Sequence, residues 1–375
     1  MRVKDHLKSD AELELFYTIV DNFCQHQLSP YVNDIEREGK VPRDFWYKLG
    51  ALGLNGITVA KEYGGLGLGL KYHVVALAVI SAYSASVGLS YAAHSNLCIH
   101  QLAKYGTSSQ KQKYLPDLIS GKKIGCLAIS EVDAGSDALG LKLKASKQGD
   151  NFIINGNKMW ITNAPSADIV IAYAKTDNDI TAFVLERSSG WNSSQIIDKM
   201  GMRGSETSEI VFTNCKATSE DVLGGINQGK YILMDGLSTE RLVLAGGPIG
   251  IMQACLTEMH QYMNIRQQFG KKIAGFQLMQ AKFADCYNKF AATLNWALAI
   301  TSSEINRHDP TALLLFASEN ATYVANEAIQ TLGGNGYSED FNVARYFRDA
   351  KLYEIGAGTN EIRRTLVGRY LLNDS

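Results

Sequence analysis

The feature that most constrains the fold of this chain is a change in the spacing of its apolar residues. From residue 11 to about 120 they recur every three or four positions, as in Leu13, Phe16 and Val20, a spacing typical of amphipathic helices. From about 124 to 224 the spacing becomes two, with β-branched runs such as DIVIAYAKT and ITAFVLE, which indicates strands. After Gly225 helical spacing returns and continues to the end. Runs of strands between runs of helices exclude an alternating α/β sheet.

We therefore predict an α+β multidomain protein. Its parts are an N-terminal helical domain at 1–123, a middle β-domain at 124–224 and a C-terminal helical bundle domain at 225–375. Within the β-domain, Asn155-Gly156 predicts a hairpin turn. The glycine-rich segment 52–70 is interpreted as a loop, because its partial dinucleotide fingerprint lacks the strand and βαβ unit that such a motif needs. A ligand is then expected at the interfaces between domains.

Composition excludes several classes of function. The chain has 375 residues, of which 46% are hydrophobic and 20% charged, as in an ordinary globular protein. A net charge of -1 offers no basic surface, so we expect neither nucleic acid nor a membrane as partner. The six cysteines lack any C-x-x-C spacing, and we expect no metal site and no disulfide framework. Without a targeting segment, the chain is expected to be cytoplasmic, of bacterial type, or a processed mitochondrial matrix form.

One acidic side chain has apolar neighbours. If GKYILMDGLSTERLVLAGGPIG is helical, the positions three, four and seven residues from Glu240 hold only leucine, valine and glycine. Arg241 points about a quarter-turn away and is poorly placed to pair with it. Desolvation is then expected to raise the pKa of Glu240 towards the range of a general base, although a structural ion pair would perturb it too.

Two stretches of the β-domain could contact a planar ligand. GCLAISEVDAGSD brings Ser130 and Ser136 together with glycine-permitted turns, which suits a heterocycle or a phosphate but equally a capped turn. In KMWITNAP, regular alternation would place Trp160 and Thr162 on one face of a strand, where Trp160 is either a binding surface or a core aromatic.

Two stretches of the C-terminal region could contact a phosphate. Arg266 stands beside a glycine-containing bend and offers a planar fork that grips phosphate, unless it is only a solvated charge at a helix. Gly333-Gly334 follows Gln330 and allows either a close approach of backbone to a ligand or a simple helix end.

Six motifs in order resemble the successive signatures of the acyl-CoA dehydrogenase family, over essentially the whole chain. They are AISEVDAGSD, KMWITN, MGMRGSETSEIVF, RQQFGKKIAGFQLMQ, QTLGGNGY and RDAKLYEIGAGTNEIRR. SYAAHSNLCIHQL, STERLVLAGGPIG and YEIGAGTNE are most similar to the isovaleryl-type members. The resemblance implies an acyl-CoA dehydrogenase-like fold with an N-terminal helical domain, a middle β-domain and a C-terminal four-helix bundle. It also implies a homotetramer with one FAD per subunit.

The resemblance assigns residues to three groups. Expected around the flavin ring and ribityl chain are Leu127, Ala128, Ile129, Ser130, Gly135, Ser136, Trp160, Ile161 and Thr162. Expected around the pyrophosphate and adenine, at a subunit interface, are Arg266, Gln277, Gln330, Gly333, Gly334, Thr359, Asn360 and Glu361. Expected to bind the acyl-CoA are Ser136, Tyr231, Ser238, Thr239, Arg241, Ala357, Gly358, Leu89, Ala93 and Tyr353.

The reaction that the resemblance implies is α,β-desaturation of an acyl-CoA thioester to a trans-2-enoyl-CoA. A carboxylate removes the α-proton while the β-hydride passes to flavin N5, and the N–H of Ala357 and a ribityl hydroxyl polarise the thioester carbonyl. Most members carry the base directly before a Gly-Thr pair, a place that Ala357 occupies here. The isovaleryl-type members carry it on the STERL helix, where this chain has Glu240.

The expected substrate is isovaleryl-CoA, oxidised to 3-methylcrotonyl-CoA in leucine catabolism, with electron-transfer flavoprotein as electron acceptor. The alternatives are a 2-methyl-branched, straight short-chain or terpenoid acyl-CoA, direct oxidation by O₂, or a noncatalytic family member acting as a binding protein. Two departures from the family pattern bear on the site. Val132 replaces a proline after Ser-Glu, and the loop in KTDNDITAF is shorter, so that its contacts with CoA are not carried over.

Overall fold

The predicted order of helices, strands and helices is confirmed by the computed structural model, which describes residues 1–177, 179–302, 305–306 and 308–373. The N-terminal helices are α1 (Ala11–Gln27), α2 (Val32–Glu38), α3 (Arg43–Ala51), α4 (Leu70–Tyr83), α5 (Ala85–Ala92), a π-helix (Ala93–His100), α6 (Gln101–Tyr105) and α7 (Ser108–Ile119). The segment 52–70 is a loop with two short 3₁₀ turns, as predicted.

Helix α4 is the centre of the helical part of the molecule. It is apolar all round, and nine consecutive residues from His73 to Ser81 are buried. A helix without a polar face must be covered on every side. Helix α1 covers one side and the C-terminal helices described below cover another, so the N- and C-terminal helices share one hydrophobic core.

The middle of the chain forms an eight-stranded sheet. Its strands are β1 (Gly125–Ala128), β2 (Lys144–Gln148), β3 (Asn151–Thr162), β4 (Ile169–Lys175), β5 (Ile180–Glu186), β6 (Trp191–Ser193), β7 (Thr207–Thr218) and β8 (Val222–Leu223). They lie in the order β6-β7-β3-β2-β4-β5-β8, with β1 paired to β4. Strands β1 and β2 run parallel to β4, and the other pairs are antiparallel.

The predicted hairpin turn at Asn155-Gly156 is wrong. Both residues lie inside β3, where the register against β7 shifts between Ile154 and Gly156. Gly156 has φ 131°, and at this shift Asn155 alone lies opposite two residues of β7, Thr213 and Asn214, so the bulge is on β7 and β3 is continuous. The β2–β3 hairpin turns instead at Gly149-Asp150, and Gly149 supplies the positive φ of 62°.

The C-terminal part contains six α-helices and a two-stranded ribbon within the described residues. These elements are α8 (Gly229–Leu244), α9 (Gly246–Ile265), β9 (Gln267–Gln268), β10 (Lys271–Lys272), α10 (Gln277–Thr301), α11 (Asp309–Leu332), α12 (Val343–Leu352) and α13 (Asn360–Asn373). The stretch Gly229–Ile265 would be long and apolar enough to cross a bilayer, but 89% of its apolar window is buried inside the fold. Such burial is typical of a core helix.

Candidate active site

The carboxylate of Glu240 lies inside the molecule. Glu240 is in the last turn but one of α8 and is only 8% exposed. Its helical neighbours Leu233, Gly236 and Val243 are buried as well. Helix α8 packs against α4, α5, the π-helix and α11. The apolar surroundings expected from the sequence are therefore present.

Electrostatics make Glu240 suitable for carrying a proton. Burial raises its pKa to about 7, while the positive charges of Arg241 and Arg363 act in the opposite direction. No ion pair or hydrogen bond of the Glu240 carboxylate occurs among the described residues. A carboxyl that titrates close to neutral pH and has no partner can accept a proton from a bound molecule.

Arg241 points away from Glu240 and bonds a distant loop. Its Nε donates to the carbonyl oxygen of Ala357 at 3.1 Å, and its Nη1 donates to Oγ1 of Thr311 on α11 at 3.1 Å. We call the segment Tyr353–Thr359 between α12 and α13 the kink. The Arg241 bonds bring the kink against the helix that carries Glu240.

Ala357 has a strained backbone and an available donor. Its φ is 57°, in the left-handed region that non-glycine residues seldom occupy. Its N–H makes no hydrogen bond among the residues that the structure describes. A strained residue with a free amide is a common arrangement where a backbone N–H binds a ligand.

Arg363 is a functional candidate that the sequence interpretation missed. It is fully buried at the start of α13, and its Nη1 donates to the carbonyl oxygen of Tyr353 at 2.7 Å and to Oδ1 of Asn360 at 2.8 Å. Its Nη2 donates to the carbonyl oxygen of Gly356. Burial lowers its pKa only to about 10, so the group stays charged at neutral pH. The sequence did contain a signal for Arg363. It lies three residues after Asn360, a spacing that places both side chains on one face of a helix.

Two other acids, Glu354 within the kink and Glu361 just after it, are placed differently from Glu240. Glu354 forms an ion pair with Lys351, with 2.6 Å between Oε2 and Nζ. Glu361 is exposed, and hydrogen bonds from the start of α13, from its own backbone first, lower its pKa. Neither has the isolation that gives Glu240 a pKa near neutral.

Trp160 is a surface residue. Its side chain is 58% exposed, so it is not the core aromatic that one reading of the sequence allowed. Its φ is 66°, and the register against β7 shifts between Lys158 and Ile161. Regular alternation therefore breaks at Trp160, and the reason for placing it on one face with Thr162 is lost. The bulge turns a planar indole outwards instead, beside the half-buried Thr162.

The loop after β1 lies next to Trp160. The Met159 N–H donates to the carbonyl oxygen of Ser130 at 2.8 Å, and the Ser130 N–H makes no hydrogen bond among the described residues. Leu127 and Ala128 are buried in β1, Ile129 is half-buried, and Gly135 and Ser136 are exposed. The side chains of Leu127 and Ala128 therefore belong to the interior, while Gly135 and Ser136 lie at the surface.

A buried ion pair, also missed, holds this loop from behind. Lys158 is fully buried, with its Nζ 2.9 Å from Oε1 of Glu131 and 2.8 Å from the carbonyl oxygen of Ile129. Glu131 also accepts the backbone N–H groups of Lys142 at 2.5 Å and Leu143 at 2.9 Å. Burial lowers the pKa of Lys158 to about 8, against the attraction of Glu131. The sequence signal for the burial of Lys158 was the alternation of β3. Lys158 lies an even number of positions from the buried Phe152 and Ile154, so its side chain points to the same face of the strand.

The residues expected around the acyl group lie on both sides of α8. Leu89 is half-buried on α5 and Ala93 is buried at the start of the π-helix, a rare element that is frequent at functional sites. Tyr353 is buried, and a Cβ at Gly247 would collide with its hydroxyl group. Gly358 lies beside Arg241.

The residues expected around the CoA lie nearer the surface. Ser238 and Thr239 are half-buried on α8, and Tyr231 is exposed at its beginning. The loop of KTDNDITAF contains position 178, which lies outside the described residues.

Most of the residues expected around the pyrophosphate and adenine are exposed. Arg266 follows α9, Gln277 begins α10, and Gln330 is near the end of α11. Gly333 closes α11 with φ 59°, as a helix end would, and a Cβ at Gly333 or Gly334 would meet nothing. Thr359 is half-buried and Glu361 exposed.

Asn360 is placed differently from the expectation. It is buried, and its Oδ1 accepts hydrogen bonds from Arg363 and from Oγ of Ser318 at 3.0 Å. The side-chain oxygen of Asn360 therefore accepts hydrogen bonds inside the helical bundle.

Three family models match consecutive parts of the chain. They are the acyl-CoA dehydrogenase N-terminal domain at residues 10–122, the middle domain at 126–215 and the C-terminal domain at 227–372. The matches follow the same helix, strand and helix order as the elements described above.

Known proteins resemble the chain over nearly its whole length. The mitochondrial isovaleryl-CoA dehydrogenase of Solanum tuberosum is 47% identical, with 100% of this chain and 96% of the relative covered. The mitochondrial 2-methylacyl-CoA dehydrogenase of the same plant is 47% identical, with 96% and 91% covered. The structure of butyryl-CoA dehydrogenase from Megasphaera elsdenii superposes with a TM-score of 0.92 at 33% identity, with 96% and 98% covered. The chain therefore belongs to the acyl-CoA dehydrogenase family of FAD-dependent oxidoreductases.

Proposed function

We propose that this acyl-CoA dehydrogenase oxidises isovaleryl-CoA to 3-methylcrotonyl-CoA, with Glu240 as the base that removes the α-proton. The observation that carries the proposal is the isolated carboxylate of Glu240, 8% exposed and with its pKa raised by burial to about 7. A base with a pKa near the working pH combines a useful fraction of carboxylate with real proton affinity.

The α-proton of a thioester is weakly acidic, so negative charge that develops on the carbonyl oxygen needs a donor. We assign this role to the N–H of Ala357, which makes no hydrogen bond to any described residue and lies on the kink bonded to Arg241. A preorganised donor of this kind typically contributes about a hundredfold to a thousandfold in rate. Glu240 would then act on the α-carbon and the Ala357 N–H on the carbonyl oxygen of the same thioester.

The residues of the β-domain edge fit FAD. The exposed indole of Trp160 and the Ser130 N–H, which has no partner in the described part of the chain, offer a planar surface and a donor, as an isoalloxazine ring requires. Arg266 and the open Gly333-Gly334 edge would serve its phosphates. When bound, FAD supplies the acceptor for the hydride that leaves the β-carbon.

Oxidation of a 2-methyl-branched acyl-CoA is the second candidate, because the 2-methylacyl-CoA and isovaleryl-CoA dehydrogenases of Solanum tuberosum are equally identical to this chain. The two substrates carry their methyl branch on different carbons. Leu89, Ala93 and Tyr353 are the side chains that we expect to discriminate between them.

Anaerobic titration of the holoenzyme with a panel of thioesters tests the substrate. We expect isovaleryl-CoA to bleach the flavin absorbance faster than 2-methylbutyryl-CoA, butyryl-CoA or a longer terpenoid acyl-CoA. Faster bleaching by 2-methylbutyryl-CoA would favour the second candidate. If no thioester bleaches the flavin while dithionite does, the proposed dehydrogenation is wrong for this chain.

We also propose a homotetramer that passes its electrons to electron-transfer flavoprotein. The segment that carries Arg266 and Gln277 exposes Phe269 by 94% and Leu278 by 85%, and such apolar side chains favour cover by another subunit. Light scattering of the holoenzyme should give four times the subunit mass. Reduction of electron-transfer flavoprotein should exceed peroxide formation in air, and the opposite ratio would assign O₂ as acceptor.

A further inference from the structure

Arg363 holds the kink through its carbonyl groups. The guanidinium has no exposed surface, and its bonds to the carbonyl oxygens of Tyr353 and Gly356 span the beginning and middle of the kink. The side chain of Asn360 fixes the guanidinium from a third direction. An arginine fork suits this task because its donors are coplanar and fixed relative to one another.

The bond to Gly356 determines where the next amide points. In a planar trans peptide, the carbonyl of one residue and the N–H of the next point in opposite directions. Because the Gly356 carbonyl points at Arg363, the Ala357 N–H must point away from it. That N–H has no acceptor among the described residues.

The bond on the other side of Ala357 completes the arrangement. The Ala357 carbonyl accepts Nε of Arg241 at 3.1 Å. Both peptide units of Ala357 are therefore held by guanidinium groups, one from the buried Arg363 and one from the half-buried Arg241, and the left-handed φ of 57° lies between them. Two fixed peptide planes leave the Ala357 N–H little freedom to turn.

We propose that Arg363 is the positioning residue that aims the Ala357 N–H at the thioester oxygen and strengthens it as a donor. The inference rests on the proposed function, in which Ala357 donates to that oxygen. A cation bonded to the carbonyl of a peptide polarises its N–H, and such cooperative effects strengthen a hydrogen bond by about 10–30%. Arg363 thus acts through Ala357 without touching the substrate.

The test compares Arg363→Lys with a matched control one residue away. Arg364 is 52% exposed and pairs with Glu319, so Arg364→Met should leave activity unchanged. Arg363→Lys keeps the positive charge, but the lysine ammonium group lacks the planar fork of donors that bonds two carbonyl oxygens at once. We expect Arg363→Lys to lower kcat by about tenfold to a hundredfold, with KM changed by less than about threefold, because only a donor to the developing oxyanion is weakened.

The infrared carbonyl stretch of bound, ¹³C-carbonyl-labelled 3-methylcrotonyl-CoA separates positioning from mere stability. A donor to the carbonyl oxygen lowers this frequency. We expect a clear downshift in the wild type and in Arg364→Met, and a smaller one in Arg363→Lys. An unchanged downshift in Arg363→Lys would overturn the inference.

Asn360→Ala is the second variant, should Arg363→Lys fail to bind FAD or fold. It keeps the arginine and removes one acceptor that orients it. We expect the carbonyl downshift to shrink in this variant too, and full retention of the downshift would contradict the inference. A wild type with flavin reduction but no downshift would refute the Ala357 donor, whereas a wild type without flavin reduction would refute the proposed function.

Discussion

Arg241 Nε and the Ala357 carbonyl oxygen lie 3.1 Å apart, although 116 residues separate them in the sequence. This bond joins the helix that carries Glu240 to the kink that carries a free N–H. The acid and the donor that the proposed reaction needs are thereby held on elements bonded to each other.

Glu240→Gln is expected to stabilise the protein at pH 8. In the folded protein Glu240 releases its proton at about 7, against 4.5 ordinarily, so the folded state binds more protons than the unfolded state between these pH values. Stability of the wild type then falls as pH rises through this window. Glutamine avoids that cost, which amounts to about 3 kcal/mol above pH 7. Chemical denaturation of the wild type and Glu240→Gln at pH 4.5 and pH 8 measures this cost. If the two proteins differ in free energy of unfolding by the same amount at both pH values, the burial assigned to Glu240 is wrong.

The rate of flavin reduction should rise as pH rises through about 7. The base must be a carboxylate to accept the α-proton, and Glu240 becomes one in this range. The charged groups that act on it are Arg241 and Arg363. Stopped-flow measurement of reduction from pH 5.5 to 9 gives the apparent pKa. If the rate instead rises with an apparent pKa near 4.5, either another acid is the base or water solvates the Glu240 carboxylate.

Glu131→Gln should weaken both the fold and FAD binding. It leaves the Lys158 ammonium buried without a counter-charge, which typically costs about 3–5 kcal/mol. The double variant Glu131→Gln with Lys158→Met should recover much of the stability but not the FAD affinity, because the Ile129 carbonyl then loses the Lys158 donor. FAD dissociation constants and melting temperatures measure the two effects separately.

Asp133→Asn is the control for the Lys158 pair. It lies in the same loop and its ion pair with Lys142 is exposed, so its loss should change stability by less than about 1 kcal/mol. If the double variant binds FAD as tightly as this control, the ion pair has no role in shaping the loop.

The helix, strand and helix order and the isolation of Glu240 could be predicted because both depend on local periodicity. The spacing that places leucine, valine and glycine around Glu240 is a property of one helix. The sequence singles out Ala357 because an alanine stands where a base is expected, but it does not reveal that its positive φ lies between bonds from Arg363 and from Arg241, 116 residues away.

The missed features depend on contacts between distant segments. Asn155-Gly156 is a typical turn sequence by itself, and only the pairing of β3 with β7 shows that it lies inside a continuous strand. Arg363 and Arg364 are the same residue type at adjacent positions, yet one is fully buried and the other exposed, because α13 docks along the face of Asn360 and Arg363. The burial of Lys158 could be predicted from the alternation of its strand, but its partner Glu131 could not, because Glu131 lies in a loop.

Anaerobic reduction of the flavin by isovaleryl-CoA in wild type, Glu240→Gln and Glu354→Gln tests the central claim most directly. We predict that Glu240→Gln binds FAD and the thioester but reduces the flavin about a hundredfold to ten-thousandfold more slowly, the usual contribution of a positioned base. Glu354→Gln removes the ion pair with Lys351 and a weak attraction on Arg363 but leaves Glu240 in place, so it should reduce the flavin at close to the wild-type rate. Reduction of Glu240→Gln at the wild-type rate would contradict the assignment of Glu240 as the base.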